Sequence, residues 1–194
     1  MTPDDSKLNA YEEEDAAFDT LSSDLVSTNP YWEHRHDRYR LRGKQQQPVR
    51  DYFYVRTPGS VLVVPRLDDG RLVLVRQLRY LGRRWCLEFP GGGLPAGMEP
   101  LEAAKRELIE ETGWRAHRWQ PLGMFNPCKG LIDETCTVFL ADDLEAGTPM
   151  PEEAEVLAPV VLSETEVVEA IADGRLWDGM SLAAWALLKR APDR

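Results

Sequence analysis

Residues 106–113 read Arg-Glu-Leu-Ile-Glu-Glu-Thr-Gly and place three carboxylates, Glu107, Glu110 and Glu111, within five consecutive positions. In a helix, at about 100° per residue, Glu107 and Glu111 stand about 40° apart, with Glu110 about 60° to the other side of Glu107. All three then share one acidic face. Carboxylates four residues apart repel by roughly a few tenths of a kcal/mol, and the macrodipole disfavours them further near a helix C-terminus. Lys105 and Arg106 offset part of this cost. A divalent cation would offset far more, and hard oxygen donors in this number suit Mg²⁺ or Mn²⁺. A solvated acidic helix face meets the same spacing.

The elements that must hold these acids are legible on both sides. Pro100 at a first helical position and Gly113 just past the end delimit the helix. Leu101, Ala104 and Leu108 give it an apolar stripe that packs on a sheet. The helix is reached through a series of strands. Asp51–Thr57 and Gly59–Leu67 are extended candidates, and Asp68-Asp69-Gly70 signals a hairpin into Arg71–Tyr80. The apolar run in Arg71–Tyr80 suggests a strand buried on both faces. A turn at Leu81–Arg84 leads to a short strand, Trp85–Phe89, which runs into Pro90 and a glycine turn. After the helix, Arg118–Phe125 and Thr135–Leu140 read as strands, with the loop Asn126–Glu134 between them. An acidic, proline-bearing stretch, Asp142–Glu155, reads as a surface loop, and Val160–Leu162 as a short strand. Ser163 with Glu166 forms a capping box for a helix ending near Gly174, and Ser181–Arg190 is a second amphipathic helix.

Ahead of these elements lie two further regions. Residues 1–28 carry Asp4, Asp5, Glu12, Glu13, Glu14, Asp15, Asp19 and Asp24 against Lys7 alone, which reads as an acidic N-terminal tail. Residues 29–57 read as N-terminal β-strands, and 58–194 as the main domain. His34 and His36 lie on one strand face, but no carboxylate motif completes a metal site there.

Bulk properties narrow the function. A chain of 194 residues supports one well-cored domain with an appendage. A net charge of −10 argues against nucleic acid or an anionic membrane as partner. No apolar run reaches transmembrane length, and the first residues carry no signal-peptide pattern. Cys86, Cys128 and Cys136 lack a metal-ligand spacing, so a reduced cytoplasmic setting is expected.

With these residues in place, the stretch Gly92 to Trp114 resembles the Nudix box, the signature of the Nudix hydrolases. Gly92, Arg106, Glu107, Leu108, Glu110, Glu111 and Gly113 stand at the matching offsets. Two positions depart: Met98 replaces the first glutamate of the pattern, with Glu99 beside it, and Trp114 replaces the final aliphatic residue. Val75–Tyr80, Leu87–Gly92 and Phe125–Glu134 resemble stretches of the subgroup of ADP-ribose pyrophosphatases and nucleoside-diphosphate-sugar hydrolases.

The resemblance implies an α+β fold, a Nudix αβα sandwich with a mixed β-sheet, plus a small N-terminal β-domain through which a homodimer forms. It implies Mg²⁺, or Mn²⁺, held by Glu107, Glu111 and the Gly91 carbonyl, with Glu110 assisting directly or through water. Glu134 is the implied general base and Asp133 its fallback; Arg106 joins the catalytic group. Arg76 and Arg79, three apart on a strand, face opposite sides. One is expected to meet substrate phosphates and the other to pair with the acidic surface. Tyr54, Trp85 and Phe125 are candidates to stack on a base, although core packing is the commoner fate of such rings. The implied reaction is hydrolysis of a diphosphate linkage in ADP-ribose or a nucleoside-diphosphate sugar. Alternatives are a Nudix hydrolase of dinucleoside polyphosphates or modified nucleoside triphosphates, or a non-catalytic Nudix-fold nucleotide sensor.

Overall fold

The computed structural model describes residues 17–44, 46–150 and 155–190. The chain divides into two compact units, one ending at Arg56 and the other beginning at Thr57.

The first unit is an antiparallel meander of β1 (Phe18–Thr28), β2 (Glu33–Leu41) and β3 (Arg50–Arg56). The β1–β2 turn is set by Asn29, whose Oδ1 accepts hydrogen bonds from the backbone N–H groups of Tyr31 (2.8 Å) and Trp32 (3.0 Å). Strand β1 corrects the expectation of an acidic tail over residues 1–28; residues 1–16 lie outside the described residues. The physical reason is cross-strand charge. Asp19 opposes Arg40 of β2 and reaches Arg42 just beyond its end, its carboxylate lying 3.1 Å from Arg42 Nε and 3.6 Å from Arg40 Nε. An acid that reads as excess charge in sequence is therefore half of an ion pair.

The second unit supplies the rest. Its elements in chain order are β4 (Ser60–Pro65), β5 (Leu72–Arg79), β6 (Arg84–Glu88), β7 (Gly91–Gly93), α1 (Pro100–Thr112), β8 (Arg115–Phe125) and β9 (Ile132–Asp133). Then follow β10 (Cys136–Glu145), β11 (Leu157–Leu162), α2 (Glu164–Ala172) and α3 (Gly179–Arg190). Strands β7, β4, β10 and β8 form one mixed sheet, in which β4 and β10 run parallel, and β11, β5 and β6 form an antiparallel one.

The side-chain period of two sorts the core into two layers. Val61 and Val63 of β4, with Phe139 and Ala141 of β10, pack on Ala103, Ala104 and Leu108 of α1. Their neighbours Leu62, Val64, Val138 and Leu140 face the opposite way and pack with Val167, Ala184 and Leu188 of α2 and α3. A mixed sheet with helices on both faces is the αβα sandwich expected. Leu72 to Val75 are fully buried, as their uninterrupted apolar run requires.

Two stretches read as irregular are extended instead. Gly91–Gly93 pairs with Leu62–Ser60 as β7, and β10 runs on to Glu145, using part of the acidic stretch. Pro151–Ala154 of that stretch lie outside the described residues. Among the described residues, no helix is long and apolar enough to cross a membrane.

Candidate active site

The acids of α1 meet the glycine strand β7. Helix α1 begins at Pro100 and ends on Gly113, a left-handed C-cap whose N–H bonds to the Ile109 carbonyl. Its apolar stripe rests on β4, which turns the Glu107–Glu111 edge onto the strand beside it.

Glu111 is 3% exposed, and one of its carboxylate oxygens accepts a hydrogen bond from the Gly91 N–H at 3.0 Å. Glu107 lies across Gly92: a Cβ added there would stand 2.6 Å from Glu107 Oε1. At Gly91 an added Cβ would meet the Val61 carbonyl oxygen at 2.2 Å. Glycine is required at Gly91, where backbone leaves no room for a side chain, while a side chain at Gly92 would displace the Glu107 carboxylate.

Glu110 separates from its neighbours. It pairs with Arg106 one turn earlier, Nε to Oε1 at 3.2 Å, and both side chains are partly exposed. The single acidic face expected from spacing is thus two surfaces, Glu107 with Glu111 against the glycines and Glu110 with Arg106 toward solvent. Glu99 holds the N-cap position of α1 without a side-chain capping bond, and Met98 packs against the α1 core layer. Arg106 is held from within the helix.

Burial pushes the Glu111 carboxyl up to about 8; the Gly91 N–H opposes this, while Glu107 and Glu155 add to it and Arg79 opposes it. A carboxylate taken out of water in this way gains from added positive charge. Among the described residues, no group of three or more His, Cys, Asp or Glu side chains is gathered as a metal cage. A Mg²⁺ ion does not need one, since it is commonly held by one or two carboxylates together with water and substrate phosphate. Two hard carboxylates, one of them forced toward its protonated form, fit such an ion. The Gly91 N–H is taken by Glu111, and its carbonyl belongs to the same short strand.

Glu134 is partly buried and its Oε1 accepts the Ser60 hydroxyl, while Asp133 is exposed. Asn126 Nδ2 donates to the Glu134 carbonyl oxygen at 2.7 Å and fixes the loop end. The sheet register relates this acid to the helix: Ser60 opposes Gly93, and Leu62 opposes Gly91. Glu134 is therefore anchored about 7 Å along β4 from the strand pair that bears the Glu111 contact.

Arg76 and Arg79 have separate surroundings. Arg76 lies 4.0 Å over the Trp85 ring, a cation–π pair that occupies this candidate stacking residue. Arg79 forks onto the carboxylate of Glu88, with Nε 2.9 and 3.0 Å from the two oxygens and Nη2 also bonded. Phe125 packs against the core, and Tyr54, buried in the first unit, lies with its hydroxyl 3.4 Å from Asp37 Oδ1. His36 Nε2 is 2.7 Å from Asp51, and its ring stacks on Phe53.

Glu88, Ser60 and Asn126 escaped sequence reasoning. For Glu88 a signal existed: an acid inside a short apolar strand, adjacent in the hairpin to an arginine-bearing one.

Strand, glycine turn and acidic helix inside an αβα sandwich define a class, and similarity to known proteins agrees with it. Residues 56–183 match the model of the NUDIX domain, and the chain belongs to the Nudix family. It is 40% identical over 90 residues to the ADP-ribose pyrophosphatase of Bacillus subtilis, covering 46% of this chain and 49% of that protein. It is 35% identical over 136 residues to the ADP-ribose pyrophosphatase of Mycobacterium tuberculosis, covering 68% of this chain and 63% of that one. The chain thus spans about half to two thirds of the length of these two relatives. The GDP-mannose pyrophosphatase of Yersinia enterocolitica is 28% identical over 176 residues, 84% of this chain and 91% of its own. Among solved structures, that of an ADP compounds hydrolase superposes with a TM-score of 0.77 at 22% identity, covering 89% of this chain and 92% of its own, a likeness of fold.

Proposed function

We propose that this chain hydrolyses the diphosphate linkage of ADP-ribose or a nucleoside-diphosphate sugar, with release of a nucleoside monophosphate and a sugar phosphate. The observation that carries the reading is the Glu107–Glu111 pair laid against Gly91 and Gly92 in a chain of the Nudix family. Relatives that act, by name, on ADP-ribose and GDP-mannose support the substrate class.

Glu107 and Glu111, with the Gly91 carbonyl, hold a divalent cation, Mg²⁺ or Mn²⁺, and Glu110 assists from the Arg106 side. The bound cation supplies charge neutralisation of the diphosphate and activation of the attacking water. Glu134, oriented by the Ser60 hydroxyl, takes the proton of that water as general base, with Asp133 exposed beside it. Arg79 meets substrate phosphate, and Arg76 stays with Trp85. The protein works in the cytoplasm as a homodimer. Its thiols Cys86, Cys128 and Cys136 are all free, in keeping with a reduced compartment.

Turnover tests this directly. The protein is incubated with Mg²⁺ and ADP-ribose, GDP-mannose, UDP-glucose, dinucleoside polyphosphates or an oxidised nucleoside triphosphate, and phosphate is measured after phosphatase treatment. Preferential turnover of the first three is expected. Preference for polyphosphates moves the chain to another branch of the family, and binding without any turnover makes it a nucleotide sensor. Sedimentation of the same sample reports the oligomeric state.

A further inference from the structure

Glu88 closes β6, three residues before the Gly91 that holds Glu111, and its side chain is 3% exposed. A buried carboxylate is retained at a cost unless it is paired and hydrogen-bonded. Its partner Arg79 does not lie opposite it. Glu88 opposes Val75 in the register, and Arg79 opposes Arg84, so the arginine runs diagonally back over the sheet to reach the acid.

The guanidinium is used on one edge only. Nε and Nη2 bind the Glu88 carboxylate, and no hydrogen bond engages Nη1 among the described residues. An arginine has five N–H donors in a rigid planar fork. Anchoring one edge therefore aims the other. The Arg79 side chain is 47% exposed, and it interacts electrostatically with Asp178 and with Glu111, which is bonded to Gly91 three residues beyond Glu88. Two residues before Arg79, Gln77 projects from the same face of β5, 6% exposed, with its Oε1 shielded and lacking a donor among the described residues. A buried acceptor without a donor marks polar surface that the described residues do not complete.

We infer that Glu88 is a positioning residue: it locks Arg79 so that the free guanidinium edge receives a phosphate oxygen of the substrate diphosphate. A purely structural ion pair would use the same atoms, but it would give no reason for the diagonal reach. This inference rests on the diphosphate-hydrolase reading above.

The test pairs binding with kinetics. Inorganic pyrophosphate is titrated calorimetrically into metal-free wild type, Glu88→Gln, Arg79→Ala and the double variant, and steady-state constants are measured with ADP-ribose and Mg²⁺. Glu88→Gln is expected to weaken pyrophosphate binding about 10-fold and to raise KM by a similar factor, with kcat changed less than about 3-fold. In the Arg79→Ala background the same substitution is expected to do nothing further, because its effect runs through Arg79. A wild-type KM in folded Glu88→Gln, or losses that multiply in the double variant, overturns the inference. If Glu88→Gln does not fold, Arg79→Lys replaces it: the charge stays but the fork is lost. The same rise in KM is then expected, and an unchanged KM overturns the assignment. Pyrophosphate binding that depends on Glu88 in a protein without turnover would sink the hydrolase reading and leave the positioning role intact.

Discussion

Helices α1 and α2 carry glutamates at opposite ends, and the two ends have opposite effects. In α2 the Ser163 hydroxyl accepts from the Glu166 N–H at 3.3 Å, and the Glu166 carboxylate accepts from the Ser163 N–H at 2.7 Å. The Ser163 N–H and hydroxyl, each donating to Glu166 Oε2 at 2.7 Å, hold the Glu166 carboxyl below its ordinary range, and Glu164 adds a second acid in the first turn, where the dipole favours it. In α1 the N-cap makes no side-chain bond, the last turn has no basic residue, and Glu111 is buried there and pushed up to about 8. The same residue type is fitted for stability in one helix and forced against its preference in the other. Local rules of this kind are commonly broken at functional sites, and α1 breaks them at Glu111.

The largest effect expected from this contrast is at Glu111. Glu111→Gln keeps the shape and removes the ionisable oxygen, so the several kcal/mol that a bound metal supplies to the transition state is lost. In kcat this is roughly 100-fold or more. Turnover of ADP-ribose under saturating Mg²⁺ reads it, and near-full activity would remove Glu111 from the site.

Stability should move the other way. Unfolded, Glu111 releases its proton near 4.5; folded, it keeps it to about 8. Between those values the folded state binds more protons, so the stability of metal-free protein falls as pH rises, with the full cost reached above about pH 8. The shift corresponds to a few kcal/mol, on the order of 1.4 kcal/mol per pH unit. Denaturant titrations in EDTA at pH 5 and pH 8 should show a smaller drop for Glu111→Gln than for wild type. Parallel drops would show that Glu111 ionises without cost and would erase the difference between the helices.

The contrast also explains what was legible in the sequence. Pro100, Gly113 and the Ser163–Glu166 box mark helix ends because each acts through backbone within a turn of itself, and all three hold in the structure. The Nudix spacing was legible for the same reason, being local to α1. What failed were properties of pairs far apart in the chain. Strand β1 depends on Asp19 meeting Arg40 and Arg42, and β7 depends on Leu62 as its partner. The Arg79–Glu88 fork crosses a hairpin diagonally, a geometry that no residue count along one strand announces.

A middling effect belongs to α2. Ser163→Ala removes the hydroxyl side of the capping box and should lower stability by about 1 kcal/mol, read as a shift of the urea midpoint at constant slope. Hydrolysis should stay within about twofold of wild type, since the box serves only the helix. A large loss of kcat would mean that α2 also shapes the site.

The smallest effect is expected at Met98, where the family pattern carries a glutamate. Met98 is half-buried against the apolar layer of α1, and a glutamate in its place would give up part of that contact, a loss of roughly 1 kcal/mol. In return it would offer Arg106 a second carboxylate. Arg106 is 51% exposed and already paired with Glu110 at 3.2 Å, and such a pair is worth only roughly a few tenths of a kcal/mol. The gain therefore does not cover the loss. Met98→Glu should be slightly less stable than wild type and turn over substrate within about twofold of it. The outcome that matters is a rise of several-fold in kcat without tighter metal binding. It would mean that Arg106 needs an anchor outside its own helix, and that the Glu110 pairing leaves α1 less well ordered for catalysis than its buried face implies.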